Sequence, residues 1–129
     1  MPNTNTDIKL QYHITLLGWG NTYPHSGAST VLQQASLKVV SQDTCDEFNF
    51  KNLGIHITKQ MLCAGNGPDD RRSGCQGDSG GPFVCSGPGG RYTLQGAVSW
   101  GSGRCDAREG YSVFVRITEY LDWISQNTR

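Results

Sequence analysis

Apolar and polar residues alternate along several short stretches of this chain, and the alternation has the period of strands. Between residues 31 and 40 the apolar side chains fall at 31, 35, 37 and 39, mostly every second position, which predicts a half-buried strand. A short apolar run over 12–17, with Ile14, Leu16 and Leu17, stops at Gly18-Trp19-Gly20 and predicts a strand closed by a glycine bend. Further strands are predicted at 61–64, 83–85, 92–100 and 111–117, with loops by composition at 21–30 and 65–82. Ser41-Gln42-Asp43-Thr44 can cap a short helix through 45–50. Ile117, Tyr120, Leu121 and Ile124 keep the spacing of one helix face, so a terminal helix is expected to dock on a sheet. Thr118 is its predicted N-cap, with Glu119 and Asp122 near the positive end of its dipole. Short strands, glycine-rich turns and one terminal helix indicate an all-β, antiparallel sandwich or barrel.

The 129 residues make one ordinary domain. Eleven Lys and Arg balance eleven Asp and Glu, which argues against nucleic acid or an acidic membrane surface as a partner, since both need a clustered positive excess. No apolar run has the length of a membrane span. Glycine, 17 of 129, is roughly twice its usual share of about 7%, in keeping with many tight turns. Five cysteines are an odd number, so bridges within the chain cannot use them all. No Cys-Xaa-Xaa-Cys spacing occurs, which disfavours a metal or redox role, and no cofactor is expected. Residues 1–7 are polar, with no basic segment leading into an apolar one, so no secretory signal is visible. Cysteines without an export signal mean either a reducing-compartment protein with free thiols or an incomplete chain.

The chemistry concentrates in Ser73-Gly74-Cys75-Gln76-Gly77-Asp78-Ser79-Gly80-Gly81-Pro82. A serine hydroxyl is a weak nucleophile unless a base takes its proton and donors stabilise the resulting oxyanion. Glycines on both sides allow a tight turn that can aim the Gly77 and Ser79 N–H groups into one concavity.

The string 75–82 resembles the nucleophile loop of the chymotrypsin-like serine endopeptidases. The likeness runs from 18 to 127 through Gly18-Trp19-Gly20, Leu32-Gln33-Gln34-Ala35, Met61-Leu62-Cys63-Ala64-Gly65, Ser99-Trp100-Gly101 and Leu121-Asp122-Trp123-Ile124. Within the family it is most similar to the elastase and chymotrypsin branch, notably through 72–77. The resemblance implies that Ser79 is the nucleophile and that Gly77 and Ser79 supply the oxyanion hole. It also implies that Asp78 pairs with a freshly cleaved α-amino group on activation. Ser73 corresponds to the floor of the primary substrate pocket, Ser99, Trp100 and Gly101 to one wall, and Ser112 to the other. The pocket residues are neutral at the floor, which favours an apolar side chain such as Leu, Met or Phe over a basic one. The resemblance further implies the bridges Cys45–Cys63 and Cys75–Cys105, leaving Cys85 unpaired.

The implied fold is the second, six-stranded Greek-key barrel of a two-barrel enzyme, with a C-terminal helix. His13, His25 and His56 match no family setting for the catalytic base, and the acids match no orienting aspartate. The expectation is therefore a chain whose partners are a peptide or protein substrate and a missing N-terminal barrel, inactive by itself, from a secreted enzyme. The alternative is a non-catalytic homologue acting as a binding module. Cys85 lacks the cysteine that normally precedes Gly18, which sets residues 1–17 apart as a non-native or poorly ordered lead to a partial domain over 18–129. The face meant for the first barrel is expected to make the chain marginally stable or prone to associate.

Overall fold

Six strands close into one antiparallel barrel in the computed structural model, which describes residues 13–67 and 69–128. They are β1 (His13–Gly18), β2 (Gln33–Val40), β3 (Met61–Ala64), β4 (Pro82–Ser86), β5 (Tyr92–Trp100) and β6 (Ser112–Arg116). Around the barrel the order is β1-β2-β3-β6-β5-β4, and β4 returns to β1 through Thr15–Val84 and Leu16–Phe83. Closure leaves neither sheet edge open, the liability of a short-stranded sheet.

The period-2 pattern places the core. Leu37 and Val39 point inward to meet Ile14, Leu16, Leu62, Phe83 and Phe114, and the last two stack with ring centres 4.1 Å apart. Taking each such side chain out of water contributes about 1.5–3 kcal/mol. Val31, by contrast, precedes β2 and is exposed. Residues 13–17 lie in β1, as the strand predicted over 12–17 has it, and Ile14 and Leu16 are 0% and 4% exposed, because their alternation fits the inner face of the barrel. The remainder of the expected lead, residues 1–12, lies outside the described residues.

α1 (Gln42–Leu53) starts at Ser41, whose hydroxyl accepts the Thr44 N–H, and stops at Gly54, a left-handed residue whose N–H returns to the Phe50 carbonyl. The cap expected in 41–44 is therefore Ser41. At the other end, Thr118 does not cap. Residues 117–120 form a 3-10 turn, and α2 (Leu121–Asn127) follows with Tyr120 at its cap position and no side-chain cap bond. Ile117 alone of the expected docking face is buried, while Leu121 and Ile124 are half-buried and Tyr120 is exposed.

Disulfides join Cys45 to Cys63 and Cys75 to Cys105, and Cys85 is free. Cys85 packs against the core, and burial raises its thiol pKa. One step beyond the Thr15–Val84 pair, the β1–β4 register sets Ile14 opposite Cys85. Directly opposed strand positions have a spacing that a disulfide can span. Ile14→Cys is thus expected to form a third bridge with Cys85 under oxidising conditions. Thiol labelling of the denatured, unreduced variant should find no free cysteine, and two labelled thiols would contradict the register.

Candidate active site

The segment 73–81 leaves the barrel ahead of β4 and turns twice, with Asp78 N–H on the Cys75 carbonyl (3.0 Å) and Gly81 N–H on the Asp78 carbonyl (2.9 Å). Gly77 has φ +97°, a left-handed value that an L side chain rarely adopts. Three tethers hold the loop. Gly80 N–H donates to the Val98 carbonyl of β5 at 2.9 Å while Val98 N–H donates back to the Gly81 carbonyl at 3.0 Å, Asn21 N–H reaches the Gln76 carbonyl at 2.9 Å, and the Cys75–Cys105 bridge ties the loop to residues 101–111.

Asp78 turns its carboxylate back beneath this loop. Oδ1 accepts the Gly20 N–H at 2.8 Å, and Oδ2 accepts the Cys75 N–H at 3.0 Å. The approach depends on two missing side chains. A Cβ on Gly18 would lie 1.9 Å from Asp78 Oδ1, and one on Gly20 would lie 2.6 Å from its Cγ. Sequence reasoning noted Gly18-Trp19-Gly20 as a motif without seeing this use. A small hollow of about 90 Å³, lined by Leu16, Gly18, Gly20, Ala35 and Asp78, adjoins the carboxylate.

Ser79, exposed at the outer side of the turn, lies between two cavities. The first, about 220 Å³, is lined by Ser79, Ser99, Trp100, Gly101 and Ser112, five of the residues singled out in the sequence. A bulge in β5, where Val98 pairs with Phe114 but Trp100 with Val113, takes Ser99 out of the ladder at this point. Ser112 is buried and its Oγ accepts the Gly74 N–H at 3.1 Å. The Ser73 hydroxyl donates to the carbonyl of Gly74 at 2.9 Å, and Gly74 lines the cavity. Gln76, Val98, Ser102 and Gly103 also line the cavity and were not foreseen. Ser102 and Gly103 directly follow the expected wall, and that adjacency was the available signal. The second cavity, about 280 Å³, is apolar and is lined by Leu17, Trp19, Leu32, Gly77, Ser79 and Pro82 among others.

The predicted site residues thus gather at one end of the barrel, Gly77, Asp78 and Ser79 on a single turn and the wall residues opposite. His25 and His56 do not join them. His25 sits exposed in the loop after β1, and His56 places Nδ1 3.0 Å from Asp46 Oδ1 while stacking on Phe50 with ring centres 3.8 Å apart. The Asp46 pKa is lowered by the Ile57 N–H bond first and by His56 second. Among the described residues no three His, Cys, Asp or Glu side chains converge as a metal site requires.

A family model described as Trypsin matches residues 1–124. The chain belongs to the trypsin family. It is 35% identical over 127 residues to chymotrypsin-C of Bos taurus, covering 98% of this chain and 46% of that protein. It is 37% identical over 114 residues to transmembrane protease serine 9 of Rattus norvegicus, covering 88% of this chain and 10% of that protein. The chain thus spans less than half the length of these curated relatives. No helix among the described residues is long and apolar enough to cross a membrane.

In this trypsin-family domain charge braces the 101–111 loop, of which Gly101, Ser102, Gly103 and Cys105 line the first cavity. Asp106, 6% exposed, receives Arg108 Nη2 at 2.7 Å and Nε at 3.0 Å, and Arg71 Nε approaches to 3.5 Å. The Arg108 side-chain bonds lead in lowering the Asp106 pKa from 3.8 to about 2, and the Arg108 N–H and charge and the Arg71 charge add to them against the opposing effect of burial. Because the folded value is depressed, the brace contributes fully above 3.8 and is lost as pH falls through about 2. Asp106→Asn is expected to flatten the fall in thermal unfolding midpoint across that window, and an unchanged pH dependence would rule the brace out. Gly20→Ala, which forces a Cβ into Asp78, is expected to cost roughly 1–3 kcal/mol in urea unfolding. An unaltered midpoint would mean that Asp78 does not need the space.

Proposed function

We propose that this chain is the nucleophile-bearing half of a secreted serine endopeptidase that cleaves after apolar residues. The observation that carries the reading is the position of Ser79, exposed on a glycine-turned loop at the lip of a cavity lined by no charged side chain, in a chain of the trypsin family. A Leu, Met or Phe side chain enters that cavity, and Ser79 Oγ attacks the carbonyl that follows it. The Gly77 and Ser79 N–H groups stabilise the oxyanion. Neutral walls give a Lys or Arg no counter-charge in exchange for its hydration, so basic residues are disfavoured.

The proton of Ser79 needs a base, and the surroundings of His25 and His56 argue against either of them. His56 is engaged by Asp46 and Phe50, and His25 lies in an exposed loop. The base and its orienting carboxylate come from a first barrel. Trp19 and Leu32, 57% and 46% exposed beside the apolar second cavity, support a face that another half covers. Asp78 pairs with the activating α-amino group. The hollow beside its carboxylate and the second lone pair on each oxygen support that role. The two disulfides fit an oxidising compartment.

Turnover of a phenylalanine or leucine ester by the chain alone is the test. The expected rate is close to the uncatalysed one and is the same in Ser79→Ala. Efficient hydrolysis that disappears with Ser79→Ala would overturn the claim that a second half is required.

A further inference from the structure

Only two residues of α1 are buried, Cys45 and Asn49, and their packing places them one helical turn apart on the same face. Cys45 is bridged to Cys63 of β3. Asn49 is fully buried, and a buried amide is costly unless its donor and acceptor are both used. Both are spent on one residue. Asn49 Oδ1 accepts the Tyr111 N–H at 2.8 Å, and Nδ2 donates to the Tyr111 carbonyl at 3.2 Å. The side chain thus pairs with Tyr111 as a neighbouring strand would, immediately before β6 begins.

The next residue is Ser112. Its Oγ accepts the Gly74 N–H at 3.1 Å, and both Ser112 and Gly74 line the cavity beside Ser79. A peptide fixed on its Tyr111 side cannot turn freely on its Ser112 side. Phe48, from the same helix, adds a ring contact to Tyr111 at 5.0 Å. Gly110 leaves room for the helix, since a Cβ there would lie 2.4 Å from Leu53 Cδ1.

We infer that Asn49 is a positioning residue for the cavity: through Tyr111 it sets Ser112, and through Ser112 it holds Gly74 and the segment leading to Ser79. This inference rests on reading the cavity as the substrate pocket, but its principal test does not. In amide-resolved NMR of the full chain, Asn49→Ala is expected to speed exchange at the Gly74 N–H about tenfold, the size of one lost hydrogen bond. The Gly74 amide proton should shift in the same direction as in Ser112→Ala, and adding Asn49→Ala to Ser112→Ala should change it no further. A Gly74 amide that ignores Asn49→Ala, or effects of the two substitutions that simply add, would overturn the relay.

Should Asn49→Ala fail to fold, the unsubstituted chain decides the question. In low denaturant the Tyr111 and Gly74 amides should open together, before those of β1 and β2, and separate opening would sink the inference. Uptake of N-acetyl-phenylalaninamide, followed on the same spectra, tests the pocket reading on its own. Binding that weakens about tenfold in Asn49→Ala supports both readings. Coupled amides in a chain that does not take up the probe would keep the relay and remove the substrate assignment.

Discussion

The inward turn of the Asp78 carboxylate is the contact on which the cavity-bearing end of this molecule depends. One oxygen holds Gly20, just past the end of β1, and the other holds Cys75, at the start of the turn that carries Ser79. A carboxylate receiving backbone N–H groups makes stronger hydrogen bonds than a neutral acceptor would. It therefore serves as a pin between two segments that share no strand pairing. With Asp78 directed inward, its neighbour Ser79 is left on the outside of the turn. The exposure of the serine and the inward turn of the acid are two sides of one backbone conformation.

The barrel supplies the frame for that pin. Its core is a narrow layer around Phe83 and Phe114, closed on one side by β1 against β4 and on the other by β3 against β6. The loops after β1, before β4 and after β5 all open at the same end, which brings residues distant in sequence around one cavity. β5 contributes twice, anchoring the Ser79 loop through Val98 and turning Ser99 out through its bulge. The wall opposite is braced by separate means, the Asn49 amide on Tyr111 and the Asp106 carboxylate between Arg108 and Arg71.

Much of this was legible in the sequence, for identifiable reasons. Period-2 alternation marked β2 because a barrel strand has one wet and one dry face, a short apolar run ending in glycine marked β1, and the glycine-flanked serine marked the turn because few residue types can follow that backbone path. Where the reading failed, a tertiary effect outweighed a local one. Thr118 has a capping side chain, but the chain makes a 3-10 turn there and the α-helix starts later. Asn49 carried no local signal at all, since a polar residue on a short helix reads as surface until Tyr111 is found beside it.

The two disulfides are unevenly distributed. Cys45–Cys63 fastens α1 to β3 and Cys75–Cys105 fastens the Ser79 loop to the cavity wall, while β1, β2, β4 and β5 are joined without any bridge. The covalent reinforcement thus lies where the hydrogen-bonded ladder is sparsest, in loops and a helix that the barrel alone does not constrain. Breaking either bridge would remove a link to the helix or to the cavity wall and would interrupt no strand pairing of the barrel.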